Sequence, residues 1–269
     1  MSGVPLSVVV VARNEAPRLP SLLADLALGS SLLREVLVVD GESSDRTATV
    51  ARLGGARVVR ERACRGRQLA HGVDASSGDW LLLLHGDGRL PSAWADQVAA
   101  VLARAGSATS AHQDEAWCFP LAIEGRAPAL RLVELAVGLR SRWRQLPYGD
   151  QGLLLPRALY VRCGGIAPLP LMEDLEFVLR LRKEARIRCL PAAIRVHGRR
   201  WNERGVWSTT LSNARLRRAW RQGVPPETLA ELYDETRPWR LDCRRPADQG
   251  EYQKAQRRCN GSSSHPWAS

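Results

Sequence analysis

Three acidic residues stand at places in the chain where a carboxylate is useful to a reaction. Asp40 closes the apolar, β-branched stretch Glu35-Val36-Leu37-Val38-Val39. Asp87 follows the apolar run over 80–84 through His85 and Gly86, and Asp174 ends the segment Pro170-Leu171-Met172-Glu173-Asp174 at the start of a helical pattern. A carboxylate at a strand end can hydrogen-bond a base or a ribose. A second can hold a divalent cation, the Lewis acid that neutralises a departing diphosphate. A third, set opposite the leaving group, serves as general base for an attacking hydroxyl. Each aspartate also has an ordinary reading, since helix caps, turns and helix-dipole acids are common.

The surrounding pattern favours the chemical reading. Strand signals over 6–11, 35–40, 56–60 and 80–84 alternate with helical spacing over 19–28, 47–53 and 68–75. Such alternation implies right-handed crossovers and a parallel sheet, and ligands gather at the carboxyl ends of such strands. Asp40 and Asp87 fall at or just past two of those ends. The second half reads differently. A strand is expected over 117–123, an amphipathic helix over 129–143, and a loop at 149–152 before a strand over 153–156. A helix over 172–183, short strands over 187–190 and 194–197, and closing helices over 207–220 and 227–233 follow.

Read in order, the segments Val8-Val9-Val10-Val11-Ala12-Arg13-Asn14-Glu15, Val38-Val39-Asp40-Gly41-Glu42-Ser43-Ser44-Asp45, Leu83-Leu84-His85-Gly86-Asp87 and Met172-Glu173-Asp174 resemble the family 2 glycosyltransferases over residues 5 to about 200. Arg65-Gly66-Arg67-Gln68, Gly149-Asp150-Gln151, Arg199-Arg200-Trp201 and the stretch 209–233 are further similar to the arsenosugar-biosynthesis-type subgroup, out to about residue 235. The resemblance implies an α/β GT-A (nucleotide-diphospho-sugar transferase) fold, with a Rossmann-like, mostly parallel central sheet flanked by helices. Residues 1–105 would form the nucleotide-sugar-binding half and 106–235 the acceptor-binding and catalytic half, with 236–269 a flexible tail. The implied reaction is metal-assisted single displacement with inversion, moving a sugar from a nucleotide-diphosphate donor to the hydroxyl of a small-molecule or lipid-linked acceptor.

The same resemblance carries roles to particular residues. Asp40 would contact the nucleoside with Ala12, Asn14 and Glu15, while Arg67 and Gln68 would reach the donor. Asp87, with His85 in the place where an acid often stands, would bind Mn²⁺ or Mg²⁺; imidazole suits the former better. Asp174 would be the general base. Asp150, Gln151, Glu173, Arg199, Arg200 and Trp201 would serve the acceptor or the diphosphate. His197 is treated as an ordinary residue.

Composition narrows the field further. The net charge is +11, and of the 39 basic residues all but Lys183 and Lys254 are arginine, which suits bidentate grip on phosphate. No basic helix with interleaved aromatics supports a nucleic-acid partner. A sugar nucleotidyltransferase would carry a glycine-rich loop after the first strand, where this chain has Ala12-Arg13-Asn14-Glu15-Ala16. A binding module that has lost catalysis would have to do so with all three acids in place. The six cysteines form no Cys-x-x-Cys pair, which argues against a zinc site or disulfide framework. Apolar runs are strand-sized rather than bilayer-sized, and no leader pattern opens the chain. A cytoplasmic enzyme is expected, touching the inner face of a membrane at most.

Overall fold

The first strand sets the architecture. In the computed structural model, which describes residues 6–107 and 114–234, every residue of β1 (Leu6–Ala12) is buried. Its alternate side chains feed two separate cores: Val9 and Val11 enter one, and Leu6, Val8, Val10 and Ala12 the other. A strand covered on both faces needs an unbroken apolar run, which is what the sequence provides.

The helices that cover these faces come in chain order. α1 (Leu19–Ala27) follows β1, and β2 (Leu33–Asp40) leads into α2 (Thr47–Leu53). Then come β3 (Arg57–Arg60), α3 (Arg65–Ala75), β4 (Trp80–His85), the two-residue β5 (Gly88–Arg89) and α4 (Trp94–Ser107). The second half contributes β6 (Glu115–Cys118), β7 (Leu121–Ile123), α5 (Pro128–Trp143), β8 (Leu153–Pro156), α6 (Arg157–Arg162) and α7 (Glu173–Glu184). It closes with β9 (Arg186–Cys189), β10 (Ile194–Val196), α8 (Arg199–Arg204), α9 (Val206–Arg221) and α10 (Pro226–Asp234). The main sheet has seven strands in the order β3-β2-β1-β4-β8-β6-β9. All run in one direction except β8, which is antiparallel to both β4 and β6. A small three-stranded sheet, β5-β10-β7, lies beyond it. This is the expected α/β, mostly parallel sandwich of helices around a sheet.

Three expectations need correction. The strand expected over 117–123 breaks at Phe119-Pro120 into β6 and β7, which belong to different sheets; proline has no N–H to give a ladder. The helix expected to start at 68 starts at Arg65. Helix α4 was not anticipated, although its apolar face at Trp94, Val98 and Val101 has helical spacing and is buried. The expected tail over 236–269 lies outside the described residues. Among those described, no helix is long and apolar enough to cross a membrane.

One arginine ties the halves together behind the sheet. Arg157 donates to the carbonyls of Gly78 and Val73 at 2.6 and 3.0 Å and to Ser76 Oγ at 2.6 Å, fixing α6 to the end of α3. Close approach of α3 to the sheet depends on Gly72, where a Cβ would stand 2.4 Å from Val9 Cγ1 and 2.8 Å from Val39 Cγ2. Gly72→Ala should therefore lower unfolding stability by roughly 1–3 kcal/mol through overpacking. Urea titration checks this; an unchanged midpoint would mean that the helix yields without cost.

Candidate active site

The loops that leave β1 and β2 are cross-braced. Asn14 N–H donates to Ser43 Oγ at 3.0 Å and its side-chain Oδ1 accepts from Ser44 N–H at 2.9 Å. Glu15 N–H reaches Thr47 Oγ1 at 2.8 Å, and Ala16 N–H reaches Asp45 Oδ2 at 3.1 Å. Asn14 and Glu42 both adopt left-handed backbone, each with φ 55°, a conformation that non-glycine residues hold only when neighbours dictate it. Gln68, buried on α3, donates its amide to Val39 O at 2.8 Å and Ala12 O at 3.3 Å. The carboxyl edge is thus rigid before any ligand arrives.

Two carboxylates at this edge lack protein partners that would satisfy them. Asp40 is buried, and one oxygen accepts from Ser43 N–H at 3.3 Å, while Oδ1 finds no partner among the described residues. A buried carboxylate oxygen without a donor is costly, and Asp40 lies beneath the pocket wall rather than on it. Asp87, half-buried after β4, makes no hydrogen bond or ion pair among the described residues. Burial pushes the Glu15 carboxyl upward, and repulsion from Asp87 adds to this, while Arg18 and Arg199 pull it back. Glu15 is held by Arg18 at 2.7 Å, so of the two acids Asp87 is the oxygen ligand open to a hard divalent cation. Among the described residues, no three His, Cys, Asp or Glu side chains are placed to hold a metal ion by themselves, so such an ion would need oxygens from the ligand as well.

His85 is committed elsewhere. Its Nδ1 lies 3.3 Å from Asp150 Oδ1. Burial disfavours the imidazolium, but the Asp150 carboxylate and, farther off, Asp87 outweigh this and Arg65, so the net shift is upward. Gly149 is wedged between His85 and Asp174: a Cβ there would stand 2.9 Å from the imidazole and 3.3 Å from Asp174 Oδ2.

The start of α7 faces the start of α3. Met172, with φ 66°, turns the chain through the left-handed region, and the next two residues open the helix. Glu173 is fully buried, with Oε1 3.2 Å from Arg65 Nε. Burial raises its carboxyl to about 7, the neighbouring Asp174 charge adds to this, and Arg65 opposes it. Arg65 itself is pushed upward by Glu173 against burial, and so stays charged. Asp174 accepts from Gly149 N–H at 2.6 Å and from Leu175 N–H at 2.7 Å. It lines a small apolar recess with His85, Tyr148 and Phe177 rather than the main pocket.

That main pocket encloses about 180 Å³ and is lined by Ala12, Glu15, Arg65, Gln68, Asp87 and Asp150 from the sheet edge. His197, Arg199, Trp201 and Tyr233 close the far side. His197 Nδ1 accepts from Arg199 N–H at 3.1 Å. A second, larger groove of about 560 Å³ between α5 and α9 shares Asp150 and Trp201 with the first.

Several expected ligand contacts are thereby reassigned. Arg67 points away from the pocket toward Glu61, 3.5 Å distant, and Arg65 occupies the wall in its place. Asn14 and Gln68 spend their side-chain groups on loops and strand carbonyls. Gln151, also expected near the acceptor, is buried and fully occupied. Its Oε1 accepts from Ser141 Oγ, Arg140 Nη2 and Tyr148 N–H, and its Nε2 donates to Phe119 O. Glu173 holds Arg65 rather than facing the pocket. Arg199 and Trp201 do line it, and the side chain of Arg200 lies outside the described residues. Arg65 and Tyr233 escaped sequence reasoning; the earlier start of α3 is the signal that would have turned Arg65 inward.

Comparison with known proteins agrees with this geometry. Residues 7–115 match the model of the family described as glycosyl transferase family 2. A stretch of 53 residues is 49% identical to 4,4'-diaponeurosporenoate glycosyltransferase of Staphylococcus haemolyticus, covering 20% of this chain and 14% of that protein. Among solved structures, S. aureus TarS 1–349 superposes with a TM-score of 0.56 at 18% identity, over 71% of this chain and 60% of that one. Glucosyl-3-phosphoglycerate synthase from Mycobacterium tuberculosis, in complex with Mn²⁺, UDP and glucosyl-3-phosphoglycerate, superposes at 0.55 with 21% identity, over 83% and 82% of the two chains. TarS has also been solved with UDP-GlcNAc. The fold is thus of GT-A architecture, and residues 7–115 carry a segment that matches glycosyl transferase family 2, while the chain spans only 14% of the curated relative and 60% of the TarS chain.

The Glu173 environment makes a pH prediction. A carboxyl raised in the folded state to about 7 from 4.5 contributes stability that is fully present below the unfolded value and is lost as pH rises through the folded one. Between pH 4.5 and 8 the wild type should lose on the order of 3 kcal/mol that Glu173→Gln does not lose. Urea titrations of both proteins across that range measure the difference. Parallel curves would mean that Glu173 ionises as freely as in the unfolded chain.

Proposed function

We propose that this protein is an inverting, non-processive glycosyltransferase that uses a uridine-diphosphate sugar and a divalent cation. The observation that carries the reading is the Asp87 carboxylate after β4, which lines the pocket with no ion pair or hydrogen bond among the described residues; the buried, half-satisfied Asp40 lies at the neighbouring strand end, behind the pocket lining. The choice of uridine is supported by the TarS and glucosyl-3-phosphoglycerate synthase structures, solved with UDP. The cation is supported by the latter's Mn²⁺ and Mg²⁺ complexes and by the open carboxylate of Asp87 in the pocket. The finer likeness to the arsenosugar-biosynthesis-type subgroup rests on Arg65-Gly66-Arg67-Gln68, Gly149-Asp150-Gln151 and Arg199-Arg200-Trp201.

In this reading Asp40 Oδ1 receives a hydrogen bond from the nucleoside, and Arg65 and Arg199 face the diphosphate from opposite walls. Asp87 would hold the cation, which supplies Lewis-acid neutralisation of the leaving group when bound. The acceptor oxygen attacks the anomeric carbon from the side away from the diphosphate, so that one C–O bond forms as the other breaks and the configuration inverts. Asp174 takes the acceptor proton. Its carboxylate is held in this state by the Gly149 and Leu175 N–H groups, and catalytic hydrogen bonds commonly tighten or rearrange once substrate binds.

Calorimetric titration with UDP, with and without Mn²⁺, tests the donor site. Mn²⁺ should strengthen binding in the wild type and have no effect in Asp87→Ala. Asp40→Ala should weaken UDP by about 10- to 100-fold, the worth of a charged hydrogen bond. A folded wild type that binds no nucleoside diphosphate would leave a noncatalytic module as the surviving account. Once a donor sugar is found, Asp174→Asn should cut turnover by roughly 100-fold or more without changing UDP affinity. If Asp150→Asn does so instead, the proton goes to the carboxylate at the junction of the two pockets.

A further inference from the structure

The groove between α5 and α9 has a chemistry that the donor site does not explain. Helix α5 leaves Leu132, Leu135, Leu139 and Trp143 exposed, at 57, 59, 37 and 79%, and their spacing of three, four and four residues places them in one stripe. Leu139 and Trp143 form a wall of the groove with Val133, Ala136 and Val137, while Leu132 and Leu135 extend the apolar surface beside it. An exposed apolar stripe on a helix that packs its other side is a binding surface by default. Arg217 of α9 lines the opposite side, and Arg144, next to Trp143, lines the groove at the end of α5. Neither makes an ion pair with a carboxylate among the described residues.

The arginines are arranged around one ring. Arg140 sits 3.5 Å from the centroid of Tyr148 and Arg217 stands 5.3 Å from it. Burial lowers the Arg140 guanidinium, and repulsion from Arg217 contributes. Arg140 is already occupied by Leu146 O and Gln151 Oε1, which leaves Arg144 and Arg217 to meet a ligand's charge. One end of the groove opens, through Asp150 and Trp201, into the donor pocket.

The geometry points to an acceptor that is an anionic amphiphile: a molecule with a long apolar chain along the α5 stripe and a phosphate or carboxylate against Arg144 and Arg217. Its reacting end enters at Asp150 and Trp201. The inference deepens the glycosyltransferase reading, and its role as acceptor rests on that reading, but binding in the groove does not. An apolar wall with one guanidinium at its end and another across the groove fits such a molecule by charge and by shape. A hydrophilic sugar or a neutral metabolite would leave one of the two unused.

Farnesyl phosphate, used below its micelle-forming concentration, is the probe, with farnesol and inorganic phosphate as the two half-ligands. Calorimetry on the full chain should show farnesyl phosphate bound at least about tenfold more tightly than either half, and Arg144→Ala/Arg217→Ala should lose about that factor. Trp143→Ser should weaken farnesyl phosphate and leave inorganic phosphate unchanged. UDP titration of the same proteins should be unaffected by all three substitutions, so failure of the donor reading and failure of this one are separately visible. Equal affinity for farnesyl phosphate and inorganic phosphate would overturn the proposal. So would indifference to the double substitution. Two other occupants would also overturn it. One is a bilayer, seen as flotation with phosphatidylglycerol vesicles that Trp143→Ser abolishes while farnesyl phosphate does not bind. The other is a second copy, seen as a dimer in sedimentation that the same substitution dissociates.

Discussion

Glu173 is buried away from water, and the Arg65 guanidinium 3.2 Å away is its counter-charge. Each residue opens a helix, Arg65 in the first half of the chain and Glu173 in the second. Burying two charges is expensive, and their attraction offsets that cost only in good geometry; the pair is better understood as a device that fixes position than as a source of stability. It is backed by contact between backbones, because a Cβ at Gly66 would stand 2.3 Å from Ala167 O and 2.6 Å from Leu169 N. Since His85 and Asp150 also meet across the same divide, the pocket between the halves is held by charge on both sides. The Arg65 wall of the pocket, the first turn of α7 and the Gly149 turn all take their positions from this seam.

Much of the site was legible because its acids sit at the ends of strands that the sequence marks clearly. Asp40 and Asp87 needed only the apolar runs before them and the rule that parallel strands deliver ligand contacts at their carboxyl ends. What could not be read was the use to which each polar side chain is put. Gln68 and Gln151 lie in segments that look ligand-binding, yet both are buried and hydrogen-bonded to backbone, a role that no local pattern distinguishes from a catalytic one. The choice between Arg65 and Arg67 turned on where α3 begins, and two residues on a helix is more than half a turn. The break at Phe119-Pro120 was legible in principle, since proline within a strand marks an edge or an end. Asp174 kept its place at a helix start but lies beside the pocket rather than in it.

The arginine content has a structural share that composition alone would assign to ligands. Arg157 and Arg180 each bind two backbone carbonyls, Arg180 holding those of Cys163 and Gly165. Arg131 and Arg140 do likewise for Ile123 and Leu146. A planar fork of donors is well suited to satisfying carbonyls where loops leave a sheet or a helix ends. The positive charge of this chain is therefore partly the cost of building loops with arginine, and the guanidiniums that face the pockets are a minority within it.

The reversed strand β8 gives the site its asymmetry. Every other strand of the sheet delivers a loop to the carboxyl edge on leaving; β8 delivers one on arriving, because it begins where its neighbours finish. The connection from α5 to β8, which carries Tyr148, Gly149 and Asp150, is thus anchored by a helix at one end and by paired backbone at the other. Changes in its length or composition would alter the floor of the groove without touching the crossovers between β1, β2 and β4 on the other side of the pocket. A scaffold wired in this way can change one of its two adjoining pockets and leave the other as it is, because the two are built largely from different residues.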